Sequence, residues 1–416
     1  MSTTVGDERL DLEQVYRDLH RQPELSFQEH RTAALVENEL RSLGYEVTAG
    51  IGGTGVVGVM HNGPGPVALL RADMDALPVL EKTDLPFASS VRGTDRAGND
   101  VPVMHACGHD MHVACLLGAA RQLVAERDGW TGTVLVLFQP AEELGAGAKA
   151  MIDDGLYDRF PQPDVVLGQH VAPLPAGFLA IRPGPAFAAS DSMRVTLHGR
   201  GGHGSRPEAG VDPVVMAAAT VLRLQTVVSR ELAGTDTAVV TVGSIRAGSA
   251  ANVIPDHAEL LVNLRSFEPA VRSRALDAIP RIIRAEAAAS GAPRDPDIET
   301  ISSFPAVLND HDASAFTRLA FEEQFGRGTI FDPGLVTGSE DVGLLATAAG
   351  VPCVFWLLGG ADGALFAGAT TAEEIAALVR DLPSNHSPLY APVIQPTLST
   401  GITALTTAAR AWLPAA

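Results

Sequence analysis

Residues 11–43 carry apolar positions at helical spacing, interrupted at "RQPELSF", where Pro23 cannot continue a helix. The pattern then becomes short, continuous apolar runs bounded by Gly and Pro: "GVVGVM", "PVALLRADMD", "GTVLVLFQPAEE" and "DVVLGQH". Runs that are continuous rather than alternating predict strands covered on both faces. Helical spacing lies between them at residues 111–126, with Asp110 placed to cap, and at 147–153. Strands that alternate with helices predict an α/β domain built on a largely parallel sheet.

Near residues 183–185 the texture changes. "SMRVTLHGR" alternates like a strand with one wet face, and a helix is expected over 213–231. Strands "TAVVTVGSIRAG" and "HAELLVNLRSF", a helix over 269–290 and strand "DIETISSF" follow. Strand-helix-strand-strand-helix-strand is the order of a ferredoxin-like α+β unit. Beyond about residue 305 the first texture returns, with "VPCVFWLL" as a buried strand and "LSTGITALTTAARAWL" as a closing helix. The expected organisation is an α/β domain from residues 1–186 and 307–416, with a smaller domain, 187–306, inserted between its halves.

Composition narrows the function. A chain of 416 residues with 46% hydrophobic and 19% charged positions has core material for two domains. The net charge of −19 disfavours nucleic acid or an anionic membrane as partner. The polar, acidic start shows no signal-peptide pattern, and no apolar run is long enough to span a bilayer. Three scattered cysteines do not make a disulfide framework, so a cytoplasmic location with reduced thiols is expected.

The candidate chemistry gathers where strands end. Open parallel sheets bind ligands beyond the carboxyl ends of their strands. "ALLRA" leads into Asp73 and Asp75, "VLVLFQPA" into Glu142 and Glu143, and "VVLGQ" into His170. Cys107 and His109 open a helix in "MHACGHDMHVACLLGAA", and His386 lies in "SNHSPLY" before the last helix. A Gly-containing turn can bring Cys107 and His109 to one ion although they are two residues apart. Cysteine, imidazole and carboxylate together suit zinc, with manganese, cobalt or nickel as alternatives. Five ligands, Cys107, His109, Glu143, His170 and His386, exceed what one open tetrahedral ion needs and suit two metals with one bridging ligand. Blander readings fit other residues. His20, His30, His61, His198, His257 and His311 read as ordinary histidines, Cys115 and Cys353 as small core residues, and His112 as a structural neighbour of His109.

These segments, with "DLHRQPELSFQE", "FQPAEE", "GQHVAPLPAG", "GRGGHGSRPE", "NVIPDHAEL", "LRSF", "SEDVG" and "NHSPLY", occur in an order that resembles the aminoacylase and carboxypeptidase family of metallohydrolases. The nearest branch holds hippurate hydrolases, N-acyl-amino-acid amidohydrolases and auxin-conjugate hydrolases. The resemblance implies a two-metal catalytic domain with an inserted lid or dimerisation domain, and a homodimer or higher homo-oligomer. It implies that Cys107 bridges two divalent ions, with Glu143 and His386 completing one and His109 and His170 the other. Glu142 is then the general base, and Asp75 a carboxylate that orients a metal-bound imidazole. His203 in "GGHGSRP" matches a histidine that polarises the scissile carbonyl. Asn252 and Arg265 match positions that hold the substrate's carboxylate; Arg265 reads otherwise as a solvated strand residue. Two departures concern the pocket or lid: Glu208 stands where many relatives have histidine, and "SEDVG" lacks an aromatic residue after Asp341.

The expected activity is hydrolysis of an N-acyl or N-aroyl amino acid. A dipeptidase or an N-carbamoyl-amino-acid hydrolase would use the same site. A thiol hydrolase with Cys107 as nucleophile would leave Glu142, Glu143, His170 and His386 idle. A metal-bearing scaffold without activity would be expected to have lost Glu142 or a ligand.

Overall fold

The computed structural model describes residues 11–369 and 371–416, which divide into two compact units. The first takes residues up to 184 together with 308–334 and 341–416; the second takes 185–307 and 335–340.

In the first unit Pro23 separates two helices as the pattern requires, α1 (Leu12–Arg21) and α2 (His30–Ser42). Asp11 caps α1 by accepting from the N–H groups of Glu13 and Gln14 at 3.0 and 3.3 Å. An eight-stranded sheet follows: β1 (Glu46–Ile51), β2 (Gly55–Asn62), β3 (Val67–Asp73), β4 (Gly132–Gln139), β5 (Val165–Pro175), β6 (Leu179–Ile181), β7 (Ile330–Phe331) and β8 (Cys353–Ala361). Its spatial order is β1-β2-β4-β3-β5-β8-β6-β7. The central pairs β4/β3, β3/β5 and β5/β8 are parallel, as is β7/β6, whereas β1/β2, β2/β4 and β8/β6 are antiparallel. Every residue of β4 is buried, so its unbroken apolar run reflects cover on both faces. Helix α3 (His109–Ala125) is buried almost all round and packs with the closing helix α4 (Thr397–Trp412).

Two local expectations change in this unit. Helix α3 begins at His109 rather than Met111, after Gly108 in a left-handed conformation (φ 84°). Asp110 therefore lies inside the first turn and caps nothing; it accepts from its neighbour Met111 N–H at 2.9 Å. Strand β5 does not stop at His170 but continues to Pro175, because β8 pairs with it past that point, through Leu357 opposite His170 and Leu358 opposite Val171.

In the second unit four antiparallel strands stand in the order Ala238–Ala247, His257–Ser266, Ala189–His198 and Asp297–Phe304. Helices Pro213–Thr226 and Pro269–Ala289 pack with this sheet, burying Met216, Leu260, Ile279 and Ile283. The expected helix over 213–231 ends at Thr226 and continues as a wider turn, Val227–Glu231. Segment 335–340 joins this unit because Ala188 N–H is shared between the Val336 and Gly338 carbonyls, each at 3.0 Å.

The close approach of β5 and β8 gives a test. A Cβ at Gly359 would lie 1.9 Å from the Pro175 carbonyl oxygen, whereas one at Gly363 would meet nothing within 4 Å. Gly359→Ala should cost about 3 kcal/mol and Gly363→Ala should be neutral or slightly stabilising. Chemical-denaturation curves of the two variants check the contrast.

Candidate metal centre

Strand β3 delivers Asp73 and, two residues on, Asp75. Strand β4 delivers Glu142 and Glu143 through a turn in which Ala141 is left-handed (φ 48°). Asp75 ties these elements together. Its Oδ1 and Oδ2 accept the N–H groups of Glu142 and Glu143, both at 3.1 Å, and Oδ2 also accepts Ser26 O–H at 2.6 Å. Its Oδ1 lies 3.3 Å from His109 Nδ1, which leaves His109 Nε2 turned toward Glu142 Oε2 and Glu143 Oε1, each at 3.9 Å.

His170 reaches the same place from β5. Pairing of β3 with β5 ends at Arg71 opposite Gly168, so the backbone of β5 beyond it needs other partners. Side chains supply them. Val171 N–H donates to His112 Nε2 at 2.8 Å, and the Val171 carbonyl accepts from His170 Nδ1 (2.8 Å), Asn385 Nδ2 (3.1 Å) and Tyr390 O–H (3.3 Å). With Nδ1 donating, His170 presents a lone pair at Nε2, 3.4 Å from Cys107 Sγ. Asn385 also donates to the Cys107 carbonyl at 3.1 Å, and His386 N–H to the Ala106 carbonyl at 2.8 Å, which fixes the loop carrying His386. His386 is left-handed (φ 72°), and its Nε2 lies 3.3 Å from Glu143 Oε2.

Potential ligand atoms of Cys107, His109 and His170 all lie within 4.8 Å of one another, as do those of Cys107, Glu143 and His386. The two triplets share the cysteine sulfur. Further groups of this kind are His109, Glu142 and Glu143, and Asp73, His109 and His112.

The electrostatics call for a cation. Burial disfavours charge on His109, but Asp73, Asp75 and Glu143 outweigh it and raise its pKa to about 10. Burial, then Glu143, Glu142 and Asp73, push the Cys107 thiol up, the opposite of what an activated nucleophile needs. Burial and the neighbouring His112 hold His170 well below the usual imidazole range. His109 Nε2 and Glu143 Oε1 are buried without hydrogen bonds, and a divalent ion is the partner that satisfies both together. The donor set therefore fits the metals that the resemblance implies.

His203, Asn252 and Arg265 belong to the second unit. His203 and Asn252 are exposed and border a depression of about 580 Å³ running along Gly201–His203 and Asn252–Asp256. His203 Nδ1 is engaged by Ser205, from its N–H at 3.1 Å and its hydroxyl at 2.8 Å. Arg265 is half-buried rather than a solvated strand residue: it donates to Asn263 Oδ1 (3.2 Å), the Thr337 carbonyl (3.1 Å) and Ser339 Oγ (2.7 Å).

Several supporting residues were assigned no such part from the sequence. Asp73, whose part was open, accepts from Arg71 Nη1 at 2.7 Å and His112 Nδ1 at 2.5 Å. Arg71 is itself buried and also meets Gln139 (2.9 Å) and Asp341 (3.2 Å). His20 bridges Asp110 (2.6 Å) and Glu81 (3.0 Å), pinning α1 to the first turn of α3. Motif "DLHRQPELSFQE" contains His20, Ser26 and Glu29, and was the available signal.

A mostly parallel sheet with overlapping imidazole, thiol and carboxylate sets at its strand ends defines an α/β protein with a candidate metal centre. The chain belongs to the peptidase family M20/M25/M40, whose pattern matches residues 69–383, and it is a hydrolase of amide bonds. It is 38% identical to the hippurate hydrolase of Campylobacter jejuni over 336 residues, 80% of this chain and 84% of that one. It is 42% identical over 275 residues to thermostable carboxypeptidase 1 of Saccharolobus solfataricus, covering 65% of this chain and 67% of the other. A dinuclear metal-binding M20 peptidase from Bacillus subtilis superposes with a TM-score of 0.73 at 29% identity, covering 96% and 97% of the two chains.

The His20 bridge predicts a pH dependence. Burial lowers its pKa, but hydrogen bonds to Asp110 and Glu81 outweigh that and raise it to about 9. A folded-state pKa above the unfolded 6.5 gives stability that is fully present below pH 6.5 and lost as pH rises through 9. The stability difference between the parent and His20→Gln should shrink by on the order of 3 kcal/mol across that window. Urea titrations at pH 6 and 9.5 measure it; an unchanged difference would refute the bridge as a charged one.

Proposed function

We propose that this protein hydrolyses N-acyl or N-aroyl amino acids to a carboxylic acid and a free amino acid. The observation that carries the reading is the pair of ligand triplets sharing Cys107 Sγ, with the buried Glu142 carboxyl beside them. In this reading Cys107, Glu143 and His386 would hold one divalent ion, and Cys107, His109 and His170 a second. Zinc, manganese, cobalt and nickel all suit such donors. When bound, the ions supply Lewis acidity that acidifies water and steadies negative charge on the carbonyl oxygen. Glu142 takes a proton from the attacking water and returns it to the leaving amine nitrogen as the C–N bond breaks. Asp75 fixes both ends of this arrangement, holding His109 through Nδ1 and the backbone of Glu142 and Glu143 through their N–H groups.

Support for His203 as the group that polarises the carbonyl, and for Asn252 and Arg265 as carboxylate holders, is the family resemblance. A cytoplasmic location and a homodimer or higher homo-oligomer are part of the same proposal. Among the described residues no helix is long and apolar enough to cross a membrane. A second reading, cleavage of dipeptides, is favoured by the likeness to the carboxypeptidase. N-Acetyl, N-benzoyl, indole-acetyl, carbamoyl and dipeptide substrates, offered to chelator-stripped protein reloaded with one metal at a time, separate the readings.

Glu142→Gln should keep its metal and lose about 10²–10⁴-fold in turnover; near-parental turnover in the loaded variant would remove the assigned base. Cys107→Ala should lower the metal-to-protein ratio measured by mass spectrometry, and an unchanged ratio would remove the bridge.

A further inference from the structure

The segment between α1 and α2 supplies none of the candidate ligands or the base, yet it reaches the turn that launches Glu142. Glu29 is wholly buried, and its Oε1 accepts from Ala141 N–H at 2.8 Å and from Phe27 N–H at 2.9 Å. Its Oε2 accepts the Thr54 hydroxyl, from the loop before β2. Ala141 carries a Cβ in the left-handed region, a conformation that costs about 1 kcal/mol or more and persists only where surroundings enforce it. On the far side of the turn the Ala141 carbonyl accepts from Gly147 N–H at 3.2 Å, and a Cβ at Gly147 would fall 1.5 Å from the Pro140 oxygen. The turn is thus gripped from both sides. On the sheet side, the grip on its amide is a single carboxyl oxygen supplied from 112 residues away.

We infer that Glu29 is a positioning residue that sets the aim of Glu142 by holding the Ala141 amide in its left-handed turn. The inference rests on Glu142 being the base. Ser26, three residues earlier, acts in the same direction by donating to Asp75, which holds the next two amides. Burial and the charge of Asp75 raise the Glu29 pKa to about 7, so a neutral side chain of the same shape is close to its native form. Glutamine keeps an oxygen for both amides; alanine keeps none.

The test uses the metal-loaded, full-length protein and the panel substrate cleaved fastest. Glu29→Ala should lower kcat about 10- to 100-fold, with KM within about twofold and metal content unchanged, because displacement of a reacting group by a fraction of an ångström acts on the chemical step. Glu29→Gln should recover kcat to within about threefold of the parent. In a Glu142→Gln background, adding Glu29→Ala should cost less than about twofold more, since no base is left to misaim. Thr54→Val loosens the same carboxyl without emptying the site and should lower kcat about threefold even if Glu29→Ala does not fold. Parental kcat in both Glu29→Ala and Thr54→Val, a Glu29→Gln as slow as Glu29→Ala, or an equal loss in the Glu142→Gln background overturns the inference. Failure of the base assignment shows separately, as parental turnover in Glu142→Gln alone, and the inference then falls with it.

Discussion

The constraint that organises the first unit is an excess of negative charge in a place largely closed to solvent. Asp73, Asp75, Glu142 and Glu143 converge within a few ångströms of His109, and nearly all of them are buried. A cluster of this kind does not survive without compensation, because a buried unpaired charge is among the costliest defects in a fold. Part of the compensation is built in. Arg71 sits wholly buried against Asp73 and Asp341, and Asp75 accepts three hydrogen bonds. The remainder falls on groups whose atoms are spaced to hold a cation.

That constraint explains why the polypeptide takes unusual conformations here. Gly108, Ala141 and His386 all have positive φ, and each stands at or beside a candidate ligand or base. Left-handed backbone turns the chain sharply enough to aim successive side chains inward while the amides stay bonded. The strain is over-determined from outside: Glu29 and Gly147 hold Ala141, Ala106 holds His386, and Val171 of β5 packs where a Cβ at Gly108 would have to go.

Much of the sheet was legible in the sequence because strands buried on both faces announce themselves as unbroken apolar runs. β4 and β8 were visible for that reason, and Glu143 and His170 followed from their places at the ends of such runs, whereas Cys107, His109 and His386 came from the approaches to helices. The overrun of β5 past His170 was not legible, since the residues that satisfy its backbone, His112, Asn385 and Tyr390, are remote in sequence. Asp110 misled in the opposite way. An aspartate before an apolar helical stretch is ordinarily a cap, but a glycine two positions earlier could start the helix sooner, and Asp110 was freed to bind His20. The parts of Glu29, Ser26 and His20 were hidden because a motif shows that residues belong together without showing what they touch.

The ring of His112 stacks on His109 at 5.3 Å and meets His170 edge-on at 4.6 Å, so by position alone it is as close to the chemistry as any histidine. Its two nitrogens are nevertheless spoken for. One accepts from the Val171 amide, which cannot give up its hydrogen, and the other faces the Asp73 carboxylate. His112 in this way acts as a fixed spacer, tying the end of β3 at Asp73 to the Val171 amide of β5 where those two strands no longer pair.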